Sequence, residues 1–183
     1  MKNKNISFLI FLLLGILSSE AFSQKASMAA KRQSPLEMAN YKFNDTYVKI
    51  TYGKPYKRGR EIFGGLVPYD KVWRTGANEA TELTNTNTIL FGGKELKQGT
   101  YSLFTIPGKE KWVIILNKDV GQFGAFEYSE KNDVLRLEVK ANNEMDPRED
   151  FLINFSPSKK SNEAILFLWW DKTKVEIPIG ILN

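Results

Sequence analysis

From residue 46 onward the chain repeatedly alternates apolar and polar positions with a period of two. Val48, Ile50 and Tyr52 fall on one side, with Lys49 and Thr51 on the other. Leu135, Leu137 and Val139 alternate with Arg136, Glu138 and Lys140, and Phe151, Ile153 and Phe155 with Leu152 and Asn154. Val175, Ile177, Ile179 and Ile181 repeat the pattern near the end. Such alternation is the mark of strands with one buried face. Residues 101–106 and 112–116 are apolar on both faces, which predicts strands covered on both sides. Pro107-Gly108-Lys109-Glu110 between them reads as a hairpin turn. Residues 165–170 (ILFLWW) form a similar run, so Trp169 and Trp170 face opposite ways. One is core; the other lies under a loop or lines a groove. Pro178 cannot donate to a ladder, which predicts that the last strand lies at an edge or meets solvent there. With residues 82–85 and 89–91 the count reaches about nine or ten strands. No long stretch has a helical period. The expected fold is all-β, an antiparallel two-sheet β-sandwich of jelly-roll type with minor helix.

The first residues follow another rule. Lys2 and Lys4 precede a 12-residue apolar run at positions 6–17, and Ala21-Phe22-Ser23 places small residues where a signal peptidase inspects the chain. Residues 1–23 therefore read as a secretory signal peptide cleaved near Ser23-Gln24. The run is too short to span a bilayer, which takes about 20 apolar residues, so no transmembrane anchor is expected after cleavage. Residues 24–33 (QKASMAAKRQ) read as a flexible leader, and residues 34–183 as a single β-sandwich domain. The expected location is the periplasm or the medium.

Composition narrows the chemistry. The 183-residue chain contains no Cys and no His. Disulfides, thiolate and imidazole metal ligands, and Ser-His-Asp or Cys-His catalysis are thereby excluded. Without residues 1–23 the chain carries 24 basic and 20 acidic residues, a net charge of +4. There is no long basic run, so no nucleic-acid partner is expected. Attraction to acidic glycans or an anionic surface accounts for the charge, as does solubility alone. Gly92-Gly93-Lys94 lacks the spacing of a phosphate-binding loop, and no pattern proposes a cofactor or a metal.

One segment does not read as scaffold. Residues 58–81 (RGREIFGGLVPYDKVWRTGANEAT) are too long for a hairpin loop and too aromatic for a linker, and loops of this length tend to be functional. Phe63, Leu66, Val67, Tyr69, Val72 and Trp73 would anchor it, and Pro68 suits the first turn of a short helix over residues 69–73. Arg58, Arg60 and Arg74 offer planar forks for carboxylate, sulfate or phosphate. Asn78 offers a donor and an acceptor, Thr75 and Thr81 hydroxyls, and Asp70, Glu79 and Glu82 carboxylates. Tyr69 and Trp73 offer flat faces for a sugar ring. The expected binding residues are Arg60, Trp73, Arg74, Thr75, Asn78, Glu79 and Thr81. Arg74 and Glu79 as a buried ion pair pinning the loop is the structural alternative. Lys54, Lys57, Arg58 and Arg60 read more readily as a solvated basic loop than as an anion clamp.

The stretches GREIFGGLVPYDKVWRTGANEATEL, GTYSLFTIPGKEKWVIILNKD and LFLWWDKTKVEIPI resemble the bacterial family called domain of unknown function 2911, over about residues 34–181. The resemblance implies an exported β-sandwich of the kind found in Bacteroidota-like bacteria. It carries over no catalytic residue; the shared block is Gly59-Arg60, Phe63-Gly64 and residues 73–81. Three readings follow. The first is a periplasmic or secreted binding module for a small polar or anionic ligand such as a glycan, using residues 58–81. The second is a glycan hydrolase relying on Asp70 and Glu79, with Arg60 or Arg74 as clamp. The third is an envelope structural or assembly protein, in which the loop only closes one end of the fold.

Overall fold

The computed structural model describes residues 32–182. The expected signal peptide lies outside the described residues, as does the expected leader except for Arg32 and Gln33. Eleven strands follow in order: β1 (Leu36–Phe43), β2 (Thr46–Gly53), β3 (Thr81–Asn85), β4 (Ile89–Phe91), β5 (Lys94–Leu96), β6 (Gly99–Pro107), β7 (Lys111–Asn117), β8 (Asp133–Asn142), β9 (Arg148–Pro157), β10 (Glu163–Asp171) and β11 (Thr173–Ile181). The helical element among the described residues is a single 3-10 turn, Glu130–Asn132. No helix among them is long and apolar enough to cross a membrane.

All named strand pairs are antiparallel, and they run as one path, β1-β2-β3-β6-β7-β8-β11-β10-β9. The β4–β5 hairpin joins β11 from the side. The all-β expectation holds. In place of two separate sheets, one sheet curls nearly into a barrel. Its halves meet at β8 and β11 through only two residue pairs, Asn142 with Lys174 and Ala141 with Val175. The far edges approach where the chain leaving β2 turns onto β9. There the Phe151 N–H donates to Pro55 O at 2.9 Å, and the Lys57 N–H to Glu149 O at 2.7 Å. Tyr41 and Phe155 stack across the same seam with centroids 5.9 Å apart. A sandwich and a barrel share the same inward alternation; only these long-range pairs distinguish them.

The inward faces are those the period of two predicts. Val48, Ile50, Tyr52, Phe151, Ile153, Val175, Ile177 and Ile179 are all buried in one core. Strand β11 is interior to the path, and of the two expectations for Pro178 contact with solvent is the one found. Pro178 O accepts the Gly92 N–H at 2.8 Å. Within a strand the nitrogen points the same way, into the gap between the β8 and β4 pairings, where a missing donor costs nothing.

Trp170 enters the core, and Trp169 stands half-buried on the outer face beneath the Arg148 guanidinium, 5.5 Å from its centroid. Phe63, Trp73, Trp112, Phe151 and Trp170 form one cluster in which contacting ring centroids lie 4.9 to 6.4 Å apart. Trp112, Phe151 and Trp170 come from strands; Phe63 and Trp73 come from the long segment. The segment thus supplies two rings of the barrel's own core. Aromatic contacts of this kind add to the burial of their large area. Replacing Trp73 by Ala is therefore expected to cost about 3–5 kcal/mol in denaturant unfolding. The same change at half-buried Trp169 should cost less than half as much.

Candidate functional site

Residues 58–81 fold as two linked turns that begin and end on the barrel. In the first, the Gly64 N–H donates to Val67 O at 2.9 Å and the Val67 N–H to Ile62 O at 2.8 Å, which carries Ile62, Phe63 and Val67 inward. The helical turn expected after Pro68 does not form. Asp70 takes φ 58°, which ends any helical path, and its N–H is held by Pro107 O at 2.8 Å. Trp73 then exchanges both backbone hydrogen bonds with Thr105 of β6, at 2.7 and 2.9 Å. This occupies the edge of β6 beyond the start of β3.

The second turn, residues 74–81, closes on itself. The Thr81 N–H donates to Arg74 O at 3.1 Å, and Thr81 Oγ1 donates to Thr75 O at 2.7 Å. The Trp73 indole N–H donates to Gly76 O at 3.1 Å, and Thr75 Oγ1 reaches Thr105 Oγ1 at 3.1 Å. The turn also crosses the end of β2 at close range. The Ala77 N–H donates to Gly53 O at 3.1 Å, and a Cβ on Gly53 would lie 2.0 Å from Ala77 O. Only glycine permits that crossing. Thr75 is fully buried at φ 57°, a conformation costly for a β-branched residue and sustained only where the surroundings fix it.

A second loop packs alongside. The Ala80 N–H donates to Gln122 O, and the Gly124 N–H to Asn78 O, both at 2.8 Å. Glu79 bridges to Phe123, and the Gly121 N–H donates to Glu82 Oε1 at 2.8 Å. Beneath these loops, Ala80, Phe104 and Ile115 form a small core on the outer face of β6 and β7, with Val72, Ala125 and Tyr128 against it. This is what covers those two strands on both sides. The far end of the second loop is fixed by Asp133, which accepts from Tyr128 Oη at 2.7 Å and from Asn117 Nδ2 at 2.8 Å. Burial, followed by the bond to Asp133, holds the Tyr128 hydroxyl well above its ordinary pKa.

The structure sorts the expected site residues into three groups. Trp73, Thr75 and Thr81 are buried, with their side-chain polar atoms bonded inside the loop. Arg60, with Lys54 and Lys57 near it, is engaged in holding the fold. Arg60 donates to Lys57 O at 3.0 Å and to Tyr56 O at 2.6 Å, Lys57 pairs with Asp171 at 2.6 Å, and Lys54 with Glu37 at 2.8 Å. Arg74, Asn78 and Glu79 are the least enclosed of the expected residues in the second turn: Arg74 and Asn78 half-buried, Glu79 exposed. Arg74 Nε is enclosed with no hydrogen-bond partner. Burial alone lowers the Arg74 pKa from its ordinary value, with no carboxylate acting against it. The structural alternative calls for a buried Glu79, whereas Glu79 is exposed.

Asp70 and Glu79 are held apart. Asp70 is anchored to Pro107, whereas the turn carrying Glu79 re-enters the sheet at Thr81 opposite Leu103. Those two anchor points lie four positions, roughly 13 Å, apart along β6. Among the described residues no group of three or more His, Cys, Asp or Glu stands ready to hold a metal ion. A surface cavity of about 270 Å³ lies elsewhere, where β8 and β11 splay, lined by Lys140, Asn142, Met145, Lys174 and Glu176. Sequence reasoning missed the second loop. Its signal was the glycine-framed VGQFGAF, residues 120–126, whose Phe123 and Phe126 are both exposed.

A family model described as "Protein of unknown function (DUF2911)" matches residues 34–179. No curated protein and no solved structure matches the chain.

Proposed function

The chain belongs to the DUF2911 family of proteins of unknown function, and from its geometry we propose that it is an exported binding module for a small polar or anionic ligand, with Arg74 as the receiving cation. One observation carries this reading. A guanidinium whose Nε is enclosed without a partner is a stability cost in the ligand-free protein, because a buried donor left unpaired forfeits its hydration. The Nε of Arg148 is enclosed in the same way, but its Nη2 pairs with Asp150 at 3.0 Å, and the Arg60 fork is bonded to two carbonyls. A carboxylate, sulfate or phosphate against the Arg74 fork restores the lost interaction, and a planar fork suits such groups. The pinned backbone of residues 74–81 holds the group in place beforehand, which lowers the ordering cost of binding.

Export follows from the basic start, the apolar run and the small residues at positions 21 and 23. Expressed in a secreting bacterium, the protein is expected to have an intact mass corresponding to a chain that begins at Gln24. Recovery of the uncleaved chain from the cytoplasm would contradict that part of the reading.

Arg74→Met separates binding from folding. With no bond to lose at Nε, the variant should match the wild type in unfolding free energy or exceed it by up to about 1 kcal/mol. In thermal-shift titrations with citrate, sulfate and glucuronate, the wild type should be stabilised by at least one, by about 2.7 kcal/mol at a hundred times the dissociation constant. The variant should not respond. Equal shifts in both proteins, or a variant destabilised by more than about 2 kcal/mol with no shift in either, would sink the assignment.

A further inference from the structure

The loop of residues 120–126 has an open side as well as a bonded one. The Gly124 N–H donates to Asn78 O and the Ala80 N–H to Gln122 O, both at 2.8 Å. These two bonds flank the antiparallel bridge between Glu79 and Phe123. In a pair flanked in this way, the two residues' own N–H and C=O groups point away from each other. The Phe123 N–H and carbonyl therefore face away from the turn of residues 74–81, and neither has a hydrogen-bond partner among the described residues. Gly121 is fixed as well, its N–H donating to Glu82 Oε1 at 2.8 Å, so the loop offers a short, held strand edge. The same loop exposes large apolar side chains: Phe123 is 66% exposed, Phe126 87% and Val120 48%. The Phe126 ring is folded back over Gly124, the residue after Phe123; a Cβ there would lie 2.6 Å from its Cε2. The surrounding charge is acidic. Glu79 is exposed beside Phe123 and Glu127 beside Phe126, and no Lys or Arg stands between Lys118 and Lys131. Asp119, Glu82 and Glu130 are engaged by Asn132, Gly121 and Arg136. Arg74, the basic residue of the facing turn, is half-buried.

Independently of the Arg74 reading, we propose that residues 121–126 are a docking edge for a partner protein, which adds an extended segment alongside Phe123 and carries basic side chains among apolar ones. A strand added to an open edge gains main-chain bonds there, and its alternate side chains supply specificity. Here the main-chain partners are the Phe123 N–H and carbonyl. Phe123 and Phe126 give the apolar contact, and Glu79 and Glu127 set the sign of the charge that the partner must bring. Other occupants fit less well. An anionic bilayer surface is repelled by the same carboxylates, and unpaired backbone groups are costly in lipid. A small apolar ligand is best held in an enclosed pocket, whereas these rings stand in the open. A second copy docked on the same edge about a two-fold axis would set the carboxylates against themselves.

The test selects peptides from a random display library on the purified protein, with the Phe123→Ser, Phe126→Ser double variant as counter-selection. Melting temperatures confirm that this variant, Phe123→Ser and Glu127→Lys all fold. The selected peptides should carry net positive charge and apolar residues at alternate positions. Titrated in synthetic form, they should bind Phe123→Ser about tenfold or more weakly, the loss expected for an aromatic anchor. Glu127→Lys should weaken them about two- to fivefold at low salt. Bound peptide should also slow exchange of the Phe123 amide proton, which contact through the rings alone would leave fast. Selected peptides that bind wild type and variants equally, that are neutral or acidic, or that leave the Phe123 amide unprotected overturn the proposal. So does a selection that yields no peptide, a dimer of the protein that Phe123→Ser dissociates, or binding to phosphatidylglycerol vesicles that Phe123→Ser abolishes.

Discussion

The packing of Phe63 and Trp73 against Trp112, Phe151 and Trp170 is the constraint on which the rest depends. Three of these rings are brought together by strands β7, β9 and β10; the other two arrive on a connection that belongs to no strand. A barrel of this size needs its interior filled to the density of a close-packed solid. Here the connection does part of the filling, so its backbone must follow one course. Gly53 gives room for the crossing at Ala77. Thr75 accepts a left-handed conformation because its hydroxyl, its neighbour's indole and the Thr81 hydroxyl all find partners only there. The turn from Arg74 to Thr81 is rigid as a consequence of core packing.

That rigidity explains why polar residues close in sequence differ so much in fate. Arg60 and Lys57 are bound to carbonyl and carboxylate oxygens of the fold. Arg74 follows directly on buried Trp73 and precedes buried Thr75, so its position is dictated by residues on either side of it. Its Nε is enclosed without a partner. A desolvated guanidinium weakens the fold that holds it.

Strand positions were legible because each has one face in the core, and period two survives whatever the strands do next. Val48, Ile50, Ile177 and Ile179 needed no long-range knowledge. Closure was not legible. Whether the sheets separate or join rests on Ala141 meeting Val175 and Pro55 meeting Phe151, contacts between residues far apart in sequence that leave no periodic trace. The same holds for the site. The block from Trp73 to Thr81 stood out by its density of arginine, amide and carboxylate, but its types could not reveal that the Thr75 and Thr81 hydroxyls are spent inside the fold, on Thr105 and on the Thr75 carbonyl. Nor could they show that Trp73 is a core ring with no face to offer a sugar. Phe123 was overlooked because a lone aromatic between glycines looks like any loop anchor; only its exposure beside Glu79 separates it from Phe104 or Phe63.

The central claim is that the connection is part of the core and presents its polar groups ready-made. Native-state hydrogen exchange of the backbone amides of Trp73, Ala77, Thr81 and Thr105 tests it directly, since local opening and global unfolding give different protection. The four amides should exchange with the same free energy as central β6 and β7, falling together as denaturant is added. Exchange of Trp73, Ala77 and Thr81 well below that level, while Thr105 and its strand neighbours remain protected, would show a loop that opens on its own and would contradict the account.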